Sequence, residues 1–258
     1  MAILETKGAC INFGGLWAVK DVDFSINARE IVGLIGPNGS GKTTFLNIIS
    51  GIYRATRGSV LLQGEDVTML KPFEIFKRGM SRTYQSSRLC WDLSVADNIL
   101  MGLYTRQNNG LIDILLRPWR ANAEIYDSMQ ECMDMLSYFN PRLADRRYEL
   151  TKNIPHIDRR RIEITRALVG HPAILLLDEP TAGLNDEETM SMMNDISKIK
   201  EKWQDICIII IEHDMKVMEK VPERIIVFNA GQKIAEGLYK DIVHNEDVIN
   251  AYLGRTAV

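Results

Sequence analysis

A chain of 258 residues with 46% apolar and 25% charged residues can bury a substantial core, and that balance suits neither disorder nor a fibrous class. A formal net charge of -3 argues against nucleic-acid binding driven by phosphate neutralisation. The cysteines Cys10, Cys90, Cys132 and Cys207 form no CxxC pair, which speaks against metal or redox motifs and for free thiols in a reducing cytoplasm.

The amino terminus carries no basic segment followed by an apolar run, so no signal peptide is expected. No stretch approaches the ~20 apolar residues of a membrane span. The longest apolar runs, such as Ile206 to Ile211, have the length of a strand. Any membrane role is therefore expected to be peripheral, through a partner.

In chain order, Val22 to Ile26 alternates apolar and polar residues as a half-buried strand does. Ile31 to Ile35 is rich in β-branched residues and runs into the turn Gly36-Pro37-Asn38-Gly39. A helix is predicted over Lys42 to Ser50, stopping at Gly51, and a short strand over Ser59 to Leu62. Ser94 to Leu103, Asn122 to Phe139 and Arg159 to Val169 carry helical periodicity. Between the first two, Gln107-Asn108-Asn109-Gly110 signals a turn, and Leu111 to Trp119 reads as a short amphipathic excursion broken at Pro118. Strands return at Ala173 to Asp178, Ile206 to Ile211 and Arg224 to Phe228. A helix over Asp186 to Lys200 separates the first two, with Asn185 as its cap and acidic residues in its first turn. The alternation implies an α/β fold with a mainly parallel, helix-covered sheet and a helical insertion from about Ser86 to Arg166.

Gly36-Pro37-Asn38-Gly39-Ser40-Gly41-Lys42-Thr43 fits G-x-x-x-x-G-K-[ST], and it lies between a strand and a helix. Glycines let the backbone curl so that successive N–H groups face phosphate oxygens, and the following helix adds its positive end. The segment Gly36 to Thr44 is thus a candidate ATP site. Lys42 would reach the β- and γ-phosphates, and the Thr43 hydroxyl would hold Mg²⁺. Downstream, the apolar strand ending in Asp178-Glu179 puts adjacent carboxylates on opposite faces, so they should do different work. Asp178 is expected to hold Mg²⁺ through water, and Glu179 to orient or polarise the water that attacks the γ-phosphate.

With these motifs in place, the chain resembles an ABC-type ATPase subunit over essentially its whole length. The resemblance implies a P-loop NTPase fold with an N-terminal antiparallel β region, and one ATP-binding domain over 1–258. Its RecA-like core would be 1–85 and 167–258, and its helical subdomain about 86–166. Tyr84-Gln85 resembles the Q-loop, so that Gln85 would contact Mg²⁺ or the attacking water and report on the transmembrane partner. Ile211-Glu212-His213-Asp214 resembles the switch-histidine motif, which puts His213 at the γ-phosphate. Ala182-Gly183-Leu184-Asn185 occupies the D-loop position, with Asn185 where many relatives have Asp. Phe13 falls where the family places an aromatic against adenine, unless it is a core phenylalanine. More narrowly, Phe13-Gly14-Gly15-Leu16, Arg82-Thr83-Tyr84-Gln85, Arg160-Arg161-Ile162-Glu163-Ile164, Ile211 to Lys216 and Ala251-Tyr252-Leu253-Gly254 are similar to the ATP-binding subunits of branched-chain amino-acid importers. That likeness implies permease subunits as partners, a solute-binding protein indirectly, and a peripheral place on the cytoplasmic face of the membrane. Other cargoes remain open: urea or amide import, lipid or lipopolysaccharide export, or a weakly hydrolysing regulatory role.

One departure from the family stands out. ABC ATPases bind ATP between two subunits, the phosphate loop of one facing an LSGGQ-type signature of the other. The register set by Arg160-Arg161-Ile162-Glu163 places Ile154-Pro155-His156-Ile157-Asp158 there. Pro155 has no hydroxyl and no N–H, and Ile157 cannot approach a phosphate as glycine does. The expectation is an asymmetric heterodimer with one strong and one weak site; the other reading is a homodimer that tolerates this segment.

Overall fold

The computed structural model describes residues 2–104 and 118–253. Gln107 to Gly110, and Leu111 to Arg117 of the expected excursion, lie outside the described residues.

Two sheets organise the described residues. The first has the order β2-β1-β4-β5 and is antiparallel: β1 (Ala2–Phe13), β2 (Leu16–Asn27), β4 (Arg57–Leu62) and β5 (Glu65–Asp66). The second has the order β10-β9-β3-β8-β7-β6: β3 (Ile31–Ile35), β6 (Met80–Arg82), β7 (Ile174–Asp178), β8 (Cys207–Ile211), β9 (Arg224–Asn229) and β10 (Gln232–Gly237). Its neighbours pair in parallel except β10, which lies antiparallel at the edge.

The central strands are buried on both sides, and their period of two divides the core. Ile31, Ile35, Leu175, Leu177, Ile208, Ile210, Ile225 and Val227 face one cluster. Val32, Leu34, Ile174, Leu176, Cys207, Ile209, Ile211, Ile226 and Phe228 face the other, which the first sheet and α1 (Lys42–Ile49) complete. Each such side chain taken fully out of water contributes roughly 1.5–3 kcal/mol before entropy is counted.

α2 (Pro72–Lys77) precedes β6, and between β6 and β7 the described residues hold α3 (Val95–Leu100), α4 (Pro118–Phe139), α5 (Pro141–Asp145) and α6 (His156–Leu168). Ser94 caps α3 by accepting from the Asp97 N–H, and the helix tightens at Met101–Leu103, so the predicted run to Leu103 ends in a 3-10 turn. Pro118 opens α4 rather than breaking before it, as a proline at the first helical position can. α7 (Asp186–Lys202) carries the expected cap: Asn185 accepts from the Glu188 N–H, while Glu188 accepts from the Asn185 N–H. α8 (Met215–Lys220), α9 (Tyr239–Ile242) and α10 (Glu246–Leu253) complete the described residues. No helix among the described residues is long and apolar enough to cross a membrane.

Candidate nucleotide site

β3 delivers the chain into the loop, and α1 takes it away. Gly36 has φ +146, and a Cβ there would lie 2.1 Å from the Phe228 carbonyl oxygen. Gly41, the cap residue of α1, has φ +103, and a Cβ would lie 2.6 Å from the Ala18 carbonyl. Only glycine meets both the torsion and the close approach at these two positions. No side chain caps α1, so the positive end of the helix faces the loop's interior.

Ala18, Asn38, Gly39, Ser40, Gly41, Lys42, Thr43, Thr44, Gln85, Glu179 and His213 line one cavity. Lys42 is buried, and its ammonium donates to the carbonyls of Gly36 at 2.8 Å and Pro37 at 3.0 Å. Burial lowers its pKa, and the negative charges of Glu179 and Asp178 act in the opposite sense.

Asp178 is the last residue of β7 and Glu179 lies just past it, so the two carboxylates part at a turn of the backbone rather than by the alternation expected of a strand. Glu179 has φ +50, a left-handed conformation uncommon for a side chain of this size, and its N–H donates to the Ile211 carbonyl. Its carboxylate lies between two partners: Gln85 Nε2 donates to Oε2 at 2.7 Å, and His213 Nε2 is 2.6 Å from Oε1. Asp178 instead is 2% exposed and pairs with Arg82, which also reaches Asn47 of α1. Arg82 Nη2 donates to its Oδ2 at 2.7 Å, while Oδ1 is buried without a hydrogen-bond partner among the described residues. A buried carboxylate oxygen left open beside a phosphate loop fits a metal ligand, so the donor set suits Mg²⁺.

Gln85 is also held from behind. Arg160 donates from Nη1 to the Tyr84 carbonyl at 3.2 Å and from Nη2 to the Gln85 carbonyl at 2.9 Å, and is itself paired with Glu163. Glu212, next to His213, accepts from the Thr181 N–H and hydroxyl and from the His213 N–H. Burial pushes its carboxyl up, and the donors oppose that. Sequence reasoning assigned Arg82 and Glu212 no role, and nothing in the local pattern marks an arginine or glutamate as buried.

Phe13 stands outside the cavity lining. It is 47% exposed at the end of β1, edge-on to Tyr53 with ring centroids 5.3 Å apart, which rules out the core alternative.

The segment in the signature position opens α6. Pro155 is its cap residue, with no side-chain cap bond. Ile157 packs against the larger core cluster, and His156 lies against Gly183. Asp158 turns inward, accepting from Asn140 Nδ2 at 3.0 Å and Arg161 Nη1 at 2.9 Å, and Arg161 reaches on to Asp195.

Residues 19–182 match the family described as ABC transporter, and residues 232–258 match that described as branched-chain amino acid ATP-binding cassette transporter. The high-affinity branched-chain amino acid transport ATP-binding protein LivG of Escherichia coli (strain K12) is 37% identical over 255 residues, covering 98% of each chain. The corresponding protein BraF of Pseudomonas aeruginosa is 34% identical, again over 98% of each. Among solved structures, the ADP conformation of an ATP-binding cassette of an ABC transporter is 28% identical, with a TM-score of 0.84 over 98% of this chain and 99% of that one. A nucleotide-free cassette is 27% identical with a TM-score of 0.83, over 98% of this chain and 99% of that one. With its phosphate loop, paired carboxylates and P-loop fold in this company, the chain belongs to the ABC transporter family of ATP-binding subunits.

Proposed function

We propose that this chain hydrolyses ATP to drive an importer of branched-chain amino acids, working at the cytoplasmic face of the membrane beneath permease subunits. The observation that carries hydrolysis is the row Gln85–Glu179–His213 across the mouth of the phosphate loop. Phosphoryl transfer asks mainly for positioning and charge stabilisation. Lys42 leaves its loop carbonyls for the β- and γ-phosphates. Thr43, Gln85 and Asp178 would hold Mg²⁺, which would neutralise charge on the phosphate oxygens. Glu179 exchanges one of its two present partners for the attacking water, and His213 turns to the γ-phosphate. The solute class follows the names of the relatives. The strands on either side of residues 83–173 support reading 1–85 and 167–258 as the nucleotide-binding core and about 86–166 as a helical subdomain.

The site is half of what hydrolysis requires, and the second half comes from a different ATPase subunit. The support is the start of α6, where the hydroxyl and glycine positions of a signature are filled by Pro155 and Ile157 and Asp158 is tied inward. Purified alone, the chain should bind ATP but release phosphate slowly. Co-purified with its encoded partner ATPase and permease subunits, it should hydrolyse ATP and support leucine uptake in vesicles. Vigorous hydrolysis by the chain alone would refute the heterodimer, and ATPase-active complexes that never move leucine would refute the solute class.

A further inference from the structure

Arg82 is a buried, heavily engaged side chain beside the site that the mechanism leaves unused. Its Nη2 donates to Asp178 Oδ2 at 2.7 Å, and its Nη1 donates to Asn47 Oδ1 at 2.7 Å and to Ser50 Oγ at 3.0 Å. The Arg82 and Asp178 side chains are 6% and 2% exposed. The guanidinium carbon lies 5.2 Å from the centre of the Tyr84 ring, the residue before Gln85. One planar fork thus joins the far turn of α1, the end of β6, the end of β7 and the loop bearing Gln85.

This arrangement divides the two oxygens of Asp178. Oδ2 is taken by the guanidinium, and Oδ1 is buried and unpartnered among the described residues. A carboxylate free to rotate could offer either oxygen or neither. Held by a bidentate-capable, permanently charged group, it presents one oxygen in a fixed direction. Partners that orient metal ligands govern metal affinity even though they never touch the ion.

We infer that Arg82 is a positioning residue for the divalent metal, fixing Asp178 so that Oδ1 points to the ion and tying that orientation to α1. The inference rests on reading Asp178 as a metal ligand. Lysine could supply the charge but not the fork, since one ammonium cannot span Asp178, Asn47 and Ser50 in the same plane.

The test titrates Mg²⁺ into the purified chain saturated with a fluorescent ADP, and separately measures ADP affinity in EDTA, for the wild type, Arg82→Met, Arg82→Lys and Asp178→Asn. The expected result for Arg82→Met is unchanged ADP affinity in EDTA and a Mg²⁺ half-saturation raised about 10- to 100-fold. Arg82→Lys should show a smaller rise and carries the test if the methionine variant fails to fold. Mg²⁺ half-saturation unchanged in the Arg82 variants, or an equal loss of metal-free ADP binding, would overturn the role. If Asp178→Asn itself leaves the Mg²⁺ dependence unaltered, the metal reading of Asp178 falls. A shift in that variant with none in the Arg82 variants refutes the positioning role alone.

Discussion

The amino ends of α1 and α6 make an instructive pair. Both follow loops, and both lack a side-chain cap at the positive end of the helix dipole. At α1 the backbone is glycine-lined and the first turn carries no acidic residue. At α6 the cap is proline, an isoleucine packs half-buried against the core, and the first turn carries Asp158. A helix terminus is an anion site only where the backbone can come close and no carboxylate competes. In this chain one terminus has the backbone for that chemistry, and the other turns the same positions toward the protein interior.

The largest expected effect lies on the intact side. Glu179→Gln in the complete complex should lower phosphate release by about 10²- to 10⁴-fold while leaving ATP binding in place, as equilibrium binding and steady-state kinetics would show. Undiminished turnover would remove Glu179 from the mechanism.

Repairing the other side sharpens the contrast. Pro155→Ser with Ile157→Gly should raise hydrolysis by the chain alone on the order of tenfold, because restored donors let two copies complete each other's sites. No gain on repair would mean that these two residues are not what keeps the copies from pairing productively.

A smaller effect separates folding from binding at α6. Asp158→Ala should cost about 1.5–3 kcal/mol in denaturant unfolding, the scale of hydrogen bonds to charged groups, with ADP affinity unchanged. A weakened nucleotide affinity with unaltered stability would reverse the assignment of the two termini.

The smallest effect lies outside both regions and gives their baseline. Burial works against the charge of Glu30, but bonds from Arg224 and the Asn27 N–H outweigh it and lower its pKa. A carboxylate depressed on folding contributes stability above its unfolded pKa that is lost as the pH falls through the folded one. Melting temperature should therefore drop on acidification below about pH 4.5, and Glu30→Gln should flatten that drop by a few degrees.

Legibility followed local pattern. Ile31 to Ile35 was readable to the residue because burial on both faces leaves a run with no polar residue in it. β7 and β8 were readable to within one residue for the same reason. β1 was not, since its pairing with β2 slips between Thr6 and Ala9 and again before Ile11, which breaks the alternation that marks a strand. β6 has three residues, too few for any period. In the site, Lys42, Glu179 and His213 were legible through motif and order. The grip of Arg82 on Asp178 was not, because it joins residues 96 positions apart. The inward turn of Asp158 likewise depends on Asn140, 18 positions before it.

The close approach of Phe228 to Gly36 and of Ala18 to Gly41 has a consequence for variation in this loop. Among the described residues, nothing lies within 4 Å of a Cβ built at Gly39. In a library of loop variants sorted only for stable folding, with no nucleotide present, side chains at Gly36 and Gly41 should still be rejected by collision. At Gly39 the only penalty is the backbone torsion, which asparagine or aspartate tolerates best. Two of the loop's three glycines would therefore persist in a descendant that had ceased to use ATP, and the glycine pattern alone would misreport such a protein as active.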